Sequence, residues 1–312
     1  MQRHTIRVFS LLLFGLASNI YSKIDFFDSM GWHLEKNISV KQLHFFADNH
    51  IARDSFNRLT ILERLYNRNE FSQKPVQGEQ KIPKTIHQIW VGPHRPPAIF
   101  EESQKSIKKH HPDWEYKLWT DADIPSLQLY NQHFYDLSDN YGEKADILRY
   151  ELLYRYGGVY IDVDFICMKP LDILSQYDLW AGTEPLDCMG NVSNAIIGSI
   201  PSHPILEDCI LTVKDYWSAY DRTEVNNIVF RVGPGHFQRS LMKFIEDPSL
   251  HLIVFPSSFF YSINIRDRVE GFKRFKYTGI EGIKSLTKPE SFAVHCFAGS
   301  WWGNKDNDLL IK

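Results

Sequence analysis

The stretch YRYGGVYIDVDFICMKPLD, residues 154–172, decides how this chain is read. Its centre, Val159 to Met168, is mostly β-branched, aromatic or otherwise apolar, the composition of a strand covered on both faces. Asp162 and Asp164 interrupt it. Buried carboxylates forfeit strong hydration, so a chain keeps them only where a cation, a set of donors or nearby solvent compensates. Read as a strand, the pair shares one face, because residues two apart point the same way, while Val163 and Phe165 take the other. Met168-Lys-Pro170 marks the strand's carboxyl end, where ligands of α/β sheets collect. A divalent cation that also meets a diphosphate accounts for the pair. Hard oxygen ligands with substrate phosphates completing the shell suit Mn2+ or Mg2+, and such a metal assists a departing diphosphate. A solvated strand-end pair is the competing reading of so short a pattern.

Outward from this stretch, strands and helices alternate. KTIHQIWVGP reads as a strand ended by Gly92-Pro93, and PPAIFEESQKSIKKHHP as a helix opened by proline. WEYKLWT follows as a strand, residues 125–141 read as irregular, and GEKADILRYELLYRYGG as a helix with a Gly-Gly ending. Later come short strands in DLWAG, NAIIGS, HLIVFP and SFAVHCF, with helices in HPILEDCILTVKDYW and HFQRSLMKFIED. The pattern predicts an α/β fold with a mainly parallel, Rossmann-like sheet flanked by helices. No G-x-G-x-x-G and no G-x-x-x-x-G-K-[ST] is present, so a nucleotide would be held by metal and side chains.

The rest of the chain sets bounds. Its 312 residues suffice for one large domain with an extension, and a net charge of −3 spread over mixed acids and bases gives no nucleic-acid footprint. Arg3 and Arg7 precede the apolar run Val8 to Ala17, the layout of a signal peptide over residues 1–22; the run is about half of the length a membrane-spanning helix needs, and a short uncleaved anchor is the rival. This predicts a secretory-pathway lumen or export, or the cytoplasm if the segment is no signal. Residues 23–78 read as a helical N-terminal appendage and linker, with Phe56, Leu59, Leu62 and Leu65 at helical spacing, and 79–312 as the main domain. Cys167, Cys188, Cys209 and Cys296 show no C-x-x-C and no zinc spacing; they permit disulfides and equally read as small buried hydrophobes. Asn37 and Asn191 open formal glycosylation sequons.

IPKTIHQIWVG, KADILRYELLYRYGGVYIDVDFICMKPLD, NAIIGSIPSHP, GPGHF and HCFAGSWW follow one another in an order that resembles DXD-containing glycosyltransferases of the initiation-specific α-1,6-mannosyltransferase and inositol-phosphoceramide mannosyltransferase type, themselves similar in fold to glucosylating bacterial toxins. The resemblance covers about residues 82–302 and is most specific in its central block. It implies a GT-A fold and retaining transfer of a hexose from a nucleotide diphosphate sugar to a glycan, glycolipid or protein acceptor. By the same resemblance Asp164 is a direct metal ligand, Asp162 bridges ribose and metal, and His295 is a third metal ligand. Asp146 and Arg149 hold the donor sugar, Trp90 stacks on the base, and Asn194 faces the donor. Ser300 and Trp302 belong to a segment that closes over the diphosphate. Read without it, Asp146 and Arg149 are a surface ion pair three residues apart, and Trp90 and His295 are ordinary core residues. Two other functions compete: a metal-dependent phosphodiester or sugar-nucleotide hydrolase, and a non-catalytic carbohydrate-binding protein suggested by 8 tryptophans and 15 tyrosines.

Overall fold

The structure, a computed structural model, describes residues 24–31, 50–71, 80–188, 190–221, 224–264 and 279–299. The apolar N-terminal run, Asn37, Ser300, Trp301 and Trp302 lie outside the described residues. Among those described, no helix is long and apolar enough to cross a membrane.

In chain order the elements are α1 (Phe26–Ser29), α2 (His50–Arg68), β1 (Thr85–Ile89), α3 (Ile99–His110), β2 (Glu115–Trp119), α4 (Ile124–Leu127), α5 (Gln132–Leu137) and α6 (Tyr141–Tyr156). Then come β3 (Gly158–Ile161), β4 (Phe165–Cys167), β5 (Leu179–Thr183), β6 (Val192–Ser199), α7 (Pro204–Trp217), α8 (Ile228–Arg231), α9 (Pro234–Phe244), β7 (Leu252–Phe255), α10 (Ile280–Lys284) and β8 (Ala293–His295). A six-stranded sheet has the order β2-β1-β3-β6-β5-β7, and β4 pairs with β8 in a second, two-stranded sheet. Within the six-stranded sheet pairing is parallel except on either side of β6, and β4 and β8 are antiparallel. The α/β class and the mainly parallel sheet are therefore as expected, with β6 running against the rest.

The expected strand through Val159 to Met168 is not continuous. It stops at Ile161, turns over Asp162 to Asp164 and resumes as β4 in the other sheet, with Phe165 opposite His295. Asp162 still donates its N–H to Ala195 O at 2.9 Å, and the N–H of Phe165 closes back on Asp162 O at 3.2 Å. The acids sit at the joint because side-chain donors reach them there, which a regular ladder would not provide. The Gly157-Gly158 pair sets the entry to β3. Gly157 ends α6 at φ +63°, donating to Leu153 O at 2.8 Å. Gly158 has φ +93°, and a Cβ there would stand 2.5 Å from Thr85 O, so β1 approaches β3 only because no side chain intervenes.

Residues 125–141, expected to be irregular, hold most of α4 and all of α5; Pro125 stands in the first turn of α4, and Gln128, at φ +49°, ends it. In α2, Leu59, Leu62, Leu65 and Tyr66 are buried in the same core as the sheet, together with Phe26 and Met30. Phe56 departs from that stripe: it is 45% exposed and stacks on Phe27 at 6.3 Å. All the cysteines are free. Asn191 is tied by Arg58 Nη2 at 3.1 Å and Ser193 is buried in β6, so the folded chain does not present this sequon.

Buried histidines make the fold sensitive to acid. His87 Nδ1 accepts from Trp119 Nε1 at 3.1 Å and its Nε2 lies 2.9 Å from Gly157 O, an arrangement that the neutral ring satisfies at both nitrogens. Burial lowers His87, His203 and His236 each to about 4. The unfolded chain thus binds more protons than the native one between pH ~6.5 and ~4, and the stability these rings contribute is present above ~6.5 and lost as pH falls through that window. Buried acids whose carboxyls are raised act in the opposite sense, so a difference measurement isolates the ring. In urea unfolding between pH 7 and 5, wild type is expected to lose more stability than His87→Gln, whose amide can replace both hydrogen bonds; equal losses would contradict this.

Candidate active site

Because β6 alone is reversed, the carboxyl ends of β1, β3, β5 and β7 share one edge of the sheet with the amino end of β6. Trp90, Asp162 and Glu184 follow β1, β3 and β5 there, and Asn194 lies near the start of β6.

One part of the site is a buried polar network on α6. Asn140 caps this helix by accepting from the N–H groups of Gly142 and Glu143, and the helix is covered on several sides, so its polar residues need partners. Asp146 and Arg149, three apart, form an ion pair at 2.9 Å with side chains only 5% and 6% exposed, not a surface pair. Asp146 Oδ1 also accepts from Asn194 Nδ2 at 2.9 Å, and the same amide lies 2.8 Å from the Tyr150 hydroxyl. Arg149 Nη1 donates to Asn194 O at 2.7 Å and lies 3.4 Å from Asp162 Oδ1, with the guanidinium 4.4 Å from the centre of the Tyr160 ring. A Cβ on Gly233, in the GPGHF stretch, would stand 3.3 Å from Asp146 Oδ2. Burial pushes the Asp146 carboxyl up to about 7 against the pull of Arg149.

The other part is the turn between β3 and β4. Asp162 accepts from the Tyr160 hydroxyl at 2.5 Å, and its side chain, 25% exposed, is the open member of the group. Asp164 is buried. Its Oδ1 lies 3.1 Å from His295 Nε2, its Oδ2 accepts from Ala298 N at 2.7 Å, and its carbonyl accepts from Cys296 N at 3.1 Å. One ligand atom from each of Asp162, Asp164 and His295 lies within 4.8 Å of the others. Burial, then the charge of Asp164, raise the Asp162 carboxyl against Arg149. Burial alone would raise Asp164 too, yet the His295 ring and its hydrogen bonds bring it below the usual carboxylate range. In return, Asp164 raises His295 although burial would lower it. Nδ1 of His295 is buried with no hydrogen-bond partner among the described residues.

The residues singled out from the sequence are thus largely brought together: Asp146, Arg149, Asn194 and Asp162 in one network, Asp164 and His295 beside it. Trp90 sits apart from those contacts; its indole N–H goes to His94 O at 2.8 Å and its backbone N–H to Trp119 O at 2.9 Å. Tyr160 and Tyr150 were missed, although each carries a signal: Tyr160 is two residues before Asp162 at the end of a strand, and Tyr150 is one helical turn after Asp146. Ala298 N–H and Glu184 had none.

Residues 97–180 match the family described as the glycosyltransferase sugar-binding region containing a DXD motif. The match takes in Asp146, Arg149, Asp162 and Asp164 and leaves Trp90, Asn194 and His295 outside it. Inositol phosphoceramide mannosyltransferase 2 of Schizosaccharomyces pombe is 37% identical over 158 residues, 48% of this chain and 44% of that protein. Mannosyl phosphorylinositol ceramide synthase SUR1 of Saccharomyces cerevisiae is 38% identical over 142 residues, 44% of this chain and 36% of that protein. The chain spans less than half the length of these curated relatives. Among solved structures, PaToxG glycosyltransferase superposes with a TM-score of 0.45 at 17% identity, covering 74% of this chain and 87% of that one.

Proposed function

We propose that this chain, whose residues 97–180 carry the DXD-containing sugar-binding region of glycosyltransferases, is a metal-dependent retaining glycosyltransferase of GT-A type. It moves a hexose from a nucleotide diphosphate sugar, GDP-mannose before UDP-hexoses, to a hydroxyl of a glycan, glycolipid or protein. The preference for mannose rests on the names of the curated relatives. The observation that carries the reading is the convergence of Asp162, Asp164 and His295 within 4.8 Å next to a buried Asp146–Arg149 pair.

The residues fit a divalent cation. Asp162 and Asp164 offer hard oxygen ligands, and His295 a borderline nitrogen, a donor set suited to Mn2+. Asp146 and Asp162 face Arg149 as their permanent cation while Asp164 faces His295, and burial already drives Asp146 and Asp162 toward their neutral forms, so added positive charge relieves the group. When bound, the metal would neutralise the leaving diphosphate. The protein's own share is positioning. Tyr160 and Arg149 fix the Asp162 carboxylate, which is exposed enough to meet a ribose hydroxyl as well. Arg149 is locked by Asp146, Asn194 O and Tyr160, and its guanidinium holds hydroxyls of the donor sugar while opposing the negative charge that develops on the diphosphate. Trp90, at the end of β1, gives the base a stacking surface. No protein group is required as a covalent nucleophile when the acceptor hydroxyl attacks from the side the diphosphate leaves.

The test is donor consumption. The full chain with Mn2+ is incubated separately with GDP-mannose, UDP-glucose, UDP-galactose and UDP-N-acetylglucosamine, and release of nucleoside diphosphate is followed. Metal-dependent consumption of GDP-mannose above the others is expected. No turnover and no metal-dependent binding of any donor would remove the transferase reading.

A further inference from the structure

Glu184 stands at the same edge of the sheet and is used by neither the Asp162, Asp164 and His295 group nor the Asp146 network. It follows β5 directly, with its N–H donating to Asn191 O at 2.7 Å, and remains partly exposed. Its carboxyl has the Ser193 hydroxyl beside it and lies within the fields of His295 and Arg58, with Asp187 as a nearby like charge. Burial raises it to about 7. Ser193 and Asn194 are consecutive on β6 and so point to opposite faces. Asn194 closes the Asp146–Arg149 network on one face; Ser193 and Glu184 stand on the other.

A second observation lies on that side. The Tyr261 hydroxyl is buried, its residue 1% exposed, with the Ser193 hydroxyl as its neighbour. Its ring meets that of His295 edge-on at 5.6 Å, and it senses the charges of Glu184 and Asp162. The Ser193 hydroxyl stands between the Glu184 carboxyl and the Tyr261 hydroxyl, so the three form one polar group beside His295. The loop that carries Glu184 is held firmly. Arg58 of α2 binds Asn191 Oδ1 at 3.1 Å, a Cβ on Gly190 would stand 2.9 Å from Leu59, and Thr183 Oγ1 lies 3.7 Å from Met30 Sδ. A carboxyl placed on a braced loop, at the sheet edge it shares with Asp162 and next to hydroxyls, suits a polyhydroxy ligand, because it accepts from two hydroxyls at once.

We propose that Glu184, with Ser193 and Tyr261, forms the acceptor subsite, its carboxyl taking hydrogen bonds from the hydroxyls of a polyol or sugar acceptor and selecting among acceptors. This rests on the transferase reading above, and the test separates the two. Initial rates of the full chain are measured with GDP-mannose and Mn2+ and with myo-inositol or methyl α-mannoside as probe acceptors, beside calorimetry of donor binding. Glu184→Gln is expected to raise the acceptor KM at least about tenfold and to change the ranking of the two polyols, while donor affinity stays within about twofold; Glu184→Asp restores part of the loss. An acceptor KM and ranking unchanged in Glu184→Gln would overturn the subsite, as would donor affinity falling in step with acceptor KM. A wild-type chain that consumes donor but ignores both polyols would overturn the acceptor class. A wild-type chain that neither binds nor consumes donor would overturn the transferase reading itself.

Discussion

Asp164→Asn is expected to lower donor turnover at least about 10³-fold while the chain stays folded. The substitution changes shape very little. It removes the charge that a cation needs and leaves one oxygen where two are in use: Oδ1 faces His295 Nε2 at 3.1 Å and Oδ2 accepts from Ala298 N at 2.7 Å. The new amide can keep one of these contacts and must turn its own N–H groups toward the other donor. His295 also loses the carboxylate that holds its proton affinity up. The expected loss therefore falls on the proposed cation site and on the segment around Ala298, while the main sheet, whose ladder does not include Asp164, is untouched. Donor hydrolysis and circular dichroism on the same preparation check both halves. An Asp164→Asn protein that is active without metal would remove the residue from the site.

The second large effect belongs to Arg149. Arg149→Ala is expected to lower turnover by about 10²-fold or more and to destabilise the fold by about 3–5 kcal/mol, the range for breaking a buried pair from one side. Asp146 would then be left with Asn194 as its hydrogen-bond donor, and its carboxyl, already raised to about 7 with Arg149 present, would rise further and take up a proton near neutral pH. The sign gives a diagnostic. Adding Asp146→Asn to Arg149→Ala removes the orphaned acid and restores part of the stability without restoring turnover, whereas a merely structural pair would recover both. Urea unfolding of the single and double variants, set against donor turnover, makes the comparison.

Much of this arrangement is legible in the residues, and the reasons for the rest are physical. Helix α6 shows itself through its Gly-Gly ending and the apolar run before it, and the strands through their β-branched blocks, whereas its cap, Asn140, lies in a stretch that reads as irregular. The break after Ile161 does not show, because both halves of the run are equally apolar; what divides them is a change of partner strand, which hydropathy does not encode. Asp162 and Asp164 meet at one group for a different reason than a shared strand face: a turn brings them together and side-chain donors keep them there. His295 is 131 residues from Asp164, a distance no local pattern bridges; only the family resemblance carried it. Glu184 and Tyr261 follow the same rule, each placed by the edge of the sheet rather than by neighbours in the chain. The apolar spacing of α2 revealed the stripe Leu59, Leu62 and Leu65 but not that it packs into the core of the sheet and that Arg58 beside it braces the loop of Glu184.

The central claim is that Asp162, Asp164 and His295 hold a divalent cation together with a nucleoside diphosphate. Calorimetric titration of GDP into the full chain, with and without Mn2+, tests it most directly, with Asp164→Asn as the paired sample. The account predicts binding that strengthens at least about tenfold with Mn2+ in the wild type and a loss of that enhancement in the variant. Equal affinity for GDP with and without Mn2+, or an enhancement that survives in Asp164→Asn, would contradict it.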